Sequence, residues 1–127
     1  MTIIAEPVLE IQTSLGEGAL WDSEKNVLLW LDINRGRVYV FDPDTGANRE
    51  YDIGQMVGTV VTRADGGIVT ALENSISVLD PETGHLDKLA DLEPDRPDTR
   101  SNDGKCDPQG RLWVGTMGLG PRKKRPL

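Results

Sequence analysis

Two stretches of this 127-residue chain gather side chains able to bind or position a polar ligand. "RSNDGK", Arg100 to Lys105, crowds an Arg, an Asn, an Asp and a Lys ahead of the apolar alternation "RLWVGT", and "LGEGALWD" holds Glu17 between two glycines ahead of another strand-like run. A carboxylate and an amide oxygen converging on one point make a hard-oxygen ligand set, suited to calcium, magnesium or manganese more than to a thiolate-seeking metal. Arg donates in a fixed fork, while Asn both donates and accepts, a pairing that suits the oxygens of a sugar ring. Plainer readings stand beside these. Glu17 reads equally as a solvated turn residue, Asn102-Asp103-Gly104 as a turn that tolerates positive φ, and Arg100 and Lys105 as surface charge.

The remaining candidates carry less. His85 is the only histidine, follows the turn "DPETG", and has no nearby Cys or second His to make a zinc site, so it is expected to be exposed. Cys106, the single cysteine, reads as a buried structural thiol and cannot form an internal disulfide. Trp21, Trp30 and Trp113 fall on strand-like segments and are expected in the core.

The elements that must position these residues emerge from internal repetition. "VYVFDPDTG" (Val38 to Gly46) and "ISVLDPETG" (Ile76 to Gly84) lie 38 residues apart. "DSEKNVLLWLDIN" matches "RADGGIVTALENS" upstream of them, and a third copy opens at "DPQGRLWVGT". Strands are expected over "NVLLWLDI", "GRVYVFD", "NREYDIG", "GTVVTR", "GGIVTALE", "SISVLD" and "HLDKLAD", with Asp-Pro, Thr-Gly and Asp-Gly-Gly supplying turns between them. No window sustains helical periodicity. Short antiparallel strands in a repeat of roughly 40 residues predict an all-β chain of propeller blades, two of them and the opening of a third. Such a ring is incomplete and leaves open blade edges: either the chain is a truncated form with an incomplete site, or a partner, such as a second copy of an inactive half-propeller, covers the gap.

Composition bounds the rest. The net charge of −7 argues against nucleic acid and anionic membranes as partners, and no apolar run approaches the length of a membrane span. The N-terminus has no basic region ahead of an apolar stretch, which with the lone Cys106 favours a cytoplasmic setting.

"LGEGALWDSEKNVLLWLDI", followed about eighty residues later by "RSNDGKCDPQGRLWVGTM", resembles the gluconolactonase, regucalcin and senescence-marker-protein family. The resemblance runs from about Gly16 to Met117 and covers the N-terminal half of a six-bladed propeller that hydrolyses sugar lactones with a divalent metal. It implies a partial six-bladed propeller of two and a half to three blades, with calcium, zinc, manganese or magnesium as cofactor and a sugar lactone as small-molecule partner. Glu17 falls on the family's first metal-binding carboxylate, and Arg100 and Asn102 on its substrate-contacting residues. Gly120 stands near where a further substrate-binding Glu belongs. The other metal ligands and the proton-shuttling Asp belong to blades outside this sequence, so no residue here is assigned a catalytic role. Residues 1–117 are expected to form the propeller half and 118–127, with "PRKKRPL", a basic disordered tail or polyanion-binding patch.

Overall fold

A computed structural model describes residues 1–120, all of them in strands, turns or irregular segments. Ten strands form three antiparallel sheets. The first contains β1 (Gly16–Asp22), β2 (Val27–Asp32), β3 (Arg37–Phe41) and β4 (Asn48–Asp52) in sequential order. The second repeats that order with β5 (Thr59–Thr62), β6 (Ile68–Ala71), β7 (Ser75–Leu79) and β8 (Leu86–Asp91), and the third pairs β9 (Thr99–Cys106) with β10 (Leu112–Gly118). No helix among the described residues is long and apolar enough to cross a membrane.

The turn residues act as their chemistry dictates. Asp42, Asp80 and Asp107 each accept a hydrogen bond from the amide two residues on, and the amides of Gly46, Gly84 and Gly110 close the same turns onto the Asp carbonyls. The three glycines sit at φ between 76° and 81°, a conformation that costs a residue with a Cβ.

Packing of the first sheet on the second makes the core. Leu29, Leu31 and Val38 from one meet Val60, Ile68 and Leu79 from the other, with Ile33, Val57 and Leu72 filling the seam. The Tyr51 hydroxyl, at 2.6 Å, and the Arg49 guanidinium, at 2.8 Å, both donate to the Pro81 carbonyl, tying β4 to the "DPETG" turn of the next sheet. The third sheet is held through Ser101, whose hydroxyl donates to the Ala71 carbonyl at 2.8 Å, and through the Thr59 hydroxyl, which donates to the Gly104 carbonyl.

Three sequence expectations are corrected. Trp21 and Trp113 are 50% and 65% exposed, because β1 turns Trp21 outward and no further strand lies over β10 among the described residues. Trp30, half-buried, stacks on Tyr39 at 4.1 Å between ring centroids and donates its indole N–H to Asn48. Cys106 is exposed rather than buried, since it ends β9 at the rim of the turn that opens with Asp107. The stretches around Glu17 and Asn102, read as strand entrances, lie inside β1 and β9. His85 is exposed, as expected, and pairs with Asp87 at 2.9 Å. The expected boundary at 117/118 falls within β10, and the Leu119 amide donates to the Asp98 carbonyl. The cluster "RKKR" lies outside the described residues.

Asp32 anchors the irregular segment that leads into β1. Fully buried, its carboxylate accepts from the amides of Ser14 (2.8 Å), Leu15 (3.0 Å) and Arg35 (3.3 Å). Burial alone would raise this carboxyl, but the three amides and the Arg35 guanidinium outweigh it and hold it below the usual range. The Arg35 ion pair itself, at 3.8 Å to a half-exposed guanidinium, contributes little. A depressed carboxyl stabilises fully above the unfolded-state value of about 4 and loses that contribution as pH falls through the native value. Asp32→Ala should therefore cost about 2 kcal/mol at neutral pH by leaving the partly buried amides of Ser14, Leu15 and Arg35 without their acceptor. In urea titrations Asp32→Asn should flatten part of the acid-side loss of stability that the parent chain shows.

Candidate functional site

The site residues are positioned by the first strand of each sheet. β5 contacts both β1 and β9, so Glu17 on β1 and the Arg100–Asn102 stretch of β9 flank a common neighbour. This close approach has a backbone cause. A Cβ at Gly58 would stand 2.5 Å from the Ser101 carbonyl oxygen, so the chain entering β5 can touch β9 only because residue 58 has no side chain.

β1 and β9 carry the same irregularity. Glu17 pairs with Leu31 and Leu20 with Leu29, so β1 spends one more residue than β2 across this interval, at Gly18 and Ala19, with Gly18 at φ 70°. Ser101 pairs with Thr116 and Gly104 with Val114, so β9 likewise carries one extra residue, at Asn102 and Asp103. β5 pairs with β6 without interruption. A bulge re-aims the side chains beside it and recurs next to binding sites. By this count the counterpart of Glu17 in the third sheet is Ser101, one residue before Asn102.

Arg100 is only 7% exposed, a correction to its reading as surface charge. One guanidinium nitrogen donates to the Ser101 carbonyl at 2.7 Å and to Asn102 Oδ1 at 3.3 Å. No carboxylate pairs with it among the described residues. A buried cation is tolerable only with hydrogen-bonding partners, and here neutral oxygens serve. Lys105 is exposed, as its composition-based reading expects. Asp103 is exposed and its carboxylate accepts from the Gly104 amide within the bulge.

Glu93, which sequence reasoning did not single out, supports the start of β9. Its two carboxylate oxygens accept from the hydroxyls of Thr99 (2.9 Å) and Thr116 (2.8 Å), one on each strand of the third sheet, while its backbone adopts φ 44°. The strain and the bridging are features of tertiary placement, and no local pattern in "DLEPDRPDT" signals them.

Neither Glu17, Arg100 nor Asn102 lines the cleft beside them. That cleft, of about 260 Å³, is bounded by Gly18–Leu20, Thr59–Thr62 and Asp103–Cys106, and begins one residue beyond Glu17 and Asn102. As ligands for a divalent cation, Glu17 and Asn102 are an incomplete set. Glu17 is exposed and makes no hydrogen bond or ion pair among the described residues, leaving its oxygens available. The Asn102 oxygen is already engaged by a guanidinium, whose charge opposes a cation at the same atom. Two oxygens fall well short of the six to eight calcium takes, and no cluster of three His, Cys, Asp or Glu exists among the described residues. The residues present do not by themselves fit a metal site.

A family model described as the SMP-30/gluconolactonase/LRE-like region matches residues 15–126. Regucalcin from Xenopus laevis is 35% identical over 116 residues, which is 91% of this chain and 39% of that protein. A 6-deoxy-6-sulfogluconolactonase from Pseudomonas putida is 35% identical over 103 residues, 81% of this chain and 35% of the relative. Among solved structures, a calcium-binding protein, regucalcin, from Agrobacterium tumefaciens superposes with a TM-score of 0.82 at 31% identity, over 87% of this chain and 38% of the other. The chain thus spans under two fifths of the length of these relatives.

Gly58→Ala should part β5 from β9, costing about 2 kcal/mol by overpacking. Hydrogen exchange should show the amides of Ser101 to Gly104 losing protection before those of β6 and β7, and simultaneous loss in all three sheets would contradict the assignment of Gly58 to this contact alone.

Proposed function

The chain belongs to the SMP-30/gluconolactonase/LRE-like family, and on that premise we propose that it carries the binding half of a sugar-lactone hydrolase site. In this reading the three sheets are two complete blades and the opening of a third, part of a six-bladed ring that residues 1–117 do not close. Arg100 and Asn102 bind the substrate, Glu17 is the one metal-ligating carboxylate this stretch supplies, and no residue here is given a proton-transfer role. The observation that carries the proposal is the buried Arg100 guanidinium beside the β9 bulge, paired with neutral oxygens only and able to donate to carbonyl and hydroxyl oxygens.

The chemistry follows from these groups. A lactone offers one carbonyl and several hydroxyl oxygens, all acceptors, and the planar guanidinium presents donors in a fixed geometry. The Asn102 amide adds both a donor and an acceptor, so it can read a hydroxyl in either role. A divalent cation, which the calcium-binding description of the solved relative supports for the family, supplies Lewis-acid polarisation of a carbonyl when bound. Glu17 and Asn102 alone make an incomplete ligand set, so no hydrolytic step is routed through it in this chain.

A second reading, a catalytically inactive half-propeller that binds calcium weakly or self-associates, is favoured by the absence of a three-ligand cluster among the described residues. A lactonase assay of the purified chain with added calcium, zinc or manganese separates the two, since metal-dependent turnover would exclude the inactive form. Under the binding-half reading, an NMR titration with an aldonolactone should shift the amides of residues 100–103. Arg100→Ala should weaken that binding by about tenfold, or about 1.4 kcal/mol. Shifts confined to residues outside β1, β5 and β9 would contradict the assignment.

A further inference from the structure

Glu93 is one of two non-glycine residues with positive φ among the described residues, and its conformation is held by a neighbouring sheet. The Asn74 side-chain amide, in the turn between β6 and β7, donates to the carbonyls of Glu93 and Arg96, both at 3.2 Å, and the Asn74 carbonyl accepts the Leu92 amide at 2.9 Å. The second sheet thus fixes the segment that leads into β9. A backbone held in an unfavourable conformation by several partners directs attention to what its side chain does.

That side chain brings a carboxylate to both strands of the third sheet, through the hydroxyls of Thr99 and Thr116. Thr99–Gly118, Arg100–Met117 and Ser101–Thr116 are the regular pairs that precede the β9 bulge, so the carboxylate spans the Arg100 pair diagonally. Strand alternation puts Thr99, Ser101 and Thr116 on one face of the sheet and Arg100 on the other. Glu93 makes no ion pair with Arg100 among the described residues. Its influence on the guanidinium therefore passes through the backbone. The guanidinium takes its orientation from the Ser101 carbonyl and Asn102 Oδ1, and one extra residue enters β9 directly after Ser101. A tie on the regular side of that bulge keeps those acceptors in place, and small displacements of a binding group are costly.

We propose that Glu93 is a positioning residue for Arg100: by tying Thr99 to Thr116 it fixes the β9–β10 register at the bulge and holds the guanidinium in the orientation that receives a lactone oxygen. The proposal rests on the lactone reading for its functional meaning, while the effect on the guanidinium needs no ligand.

The first measurement is made without ligand. In NMR spectra of the full chain with labelled arginine, Glu93→Gln and Thr116→Val should each speed rotation of the Arg100 guanidinium by about fivefold, roughly the worth of one hydrogen bond. Thr116→Ser, which keeps the hydroxyl, should leave it slow. Thr116 is exposed, so its variants leave the core intact. The second measurement reads binding of galactono-γ-lactone. Glu93→Gln and Thr116→Val should each weaken it by about threefold, with no further effect in an Arg100→Ala background, since a residue acting through Arg100 then has nothing left to act on. Unchanged rotation in Glu93→Gln, or equal losses of binding in both backgrounds, would overturn the proposal. So would faster rotation in Glu93→Gln with none in Thr116→Val, because the effect would then be one of charge and not of register. If the parent chain shows no lactone-induced shifts, the lactone assignment fails by itself and the guanidinium rotation still decides the role of Glu93.

Discussion

The arrangement depends on how closely β5 can lie against β9. Gly58 admits the Ser101 carbonyl where any Cβ would collide, and the Ser101 hydroxyl then reaches the Ala71 carbonyl across the same seam. This contact is short, polar and buried, unlike the broad apolar seam between the first two sheets. Its consequence is geometric: it fixes where β9 begins, and so where Arg100 and Asn102 lie relative to the strand that also touches β1.

On that frame the two bulges act as local adjustments. Each inserts one residue into a sheet's first strand while the second strand runs on regularly, so the core register of β2 on β3 is untouched. Glu93 joins the two strands of the third sheet by accepting from Thr99 on β9 and Thr116 on β10. The chain belongs to the SMP-30/gluconolactonase/LRE-like family and spans under two fifths of the length of the relatives it matches.

Much of the fold was legible in the sequence because its signals were local. The alternating runs of β2, β3, β5, β6 and β7 and the repeated Asp-initiated turns depend on neighbours within a few residues. β1 and β9 were harder to read, since glycine and polar residues interrupt the alternation at the bulges that make them useful. The tryptophans misled for a related reason. Trp21 and Trp113 have strand-like surroundings, but which face of a strand is covered depends on the strands beside it. Arg100 is buried although it opens a polar, charged stretch, so composition alone assigned it to the surface.

The central claim is that β5 packs against both β1 and β9, so that Glu17 and the Arg100–Asn102 stretch flank one strand. Titration of the chain with manganese, read by paramagnetic broadening of backbone amide signals, tests it most directly, because broadening reports proximity even when binding is weak. The account predicts that amides of residues 16–18 and 101–103 broaden together at the same manganese concentration, and that Glu17→Gln diminishes both sets. Broadening of one strand without the other, or of acidic turns elsewhere while both strands stay sharp, would contradict it.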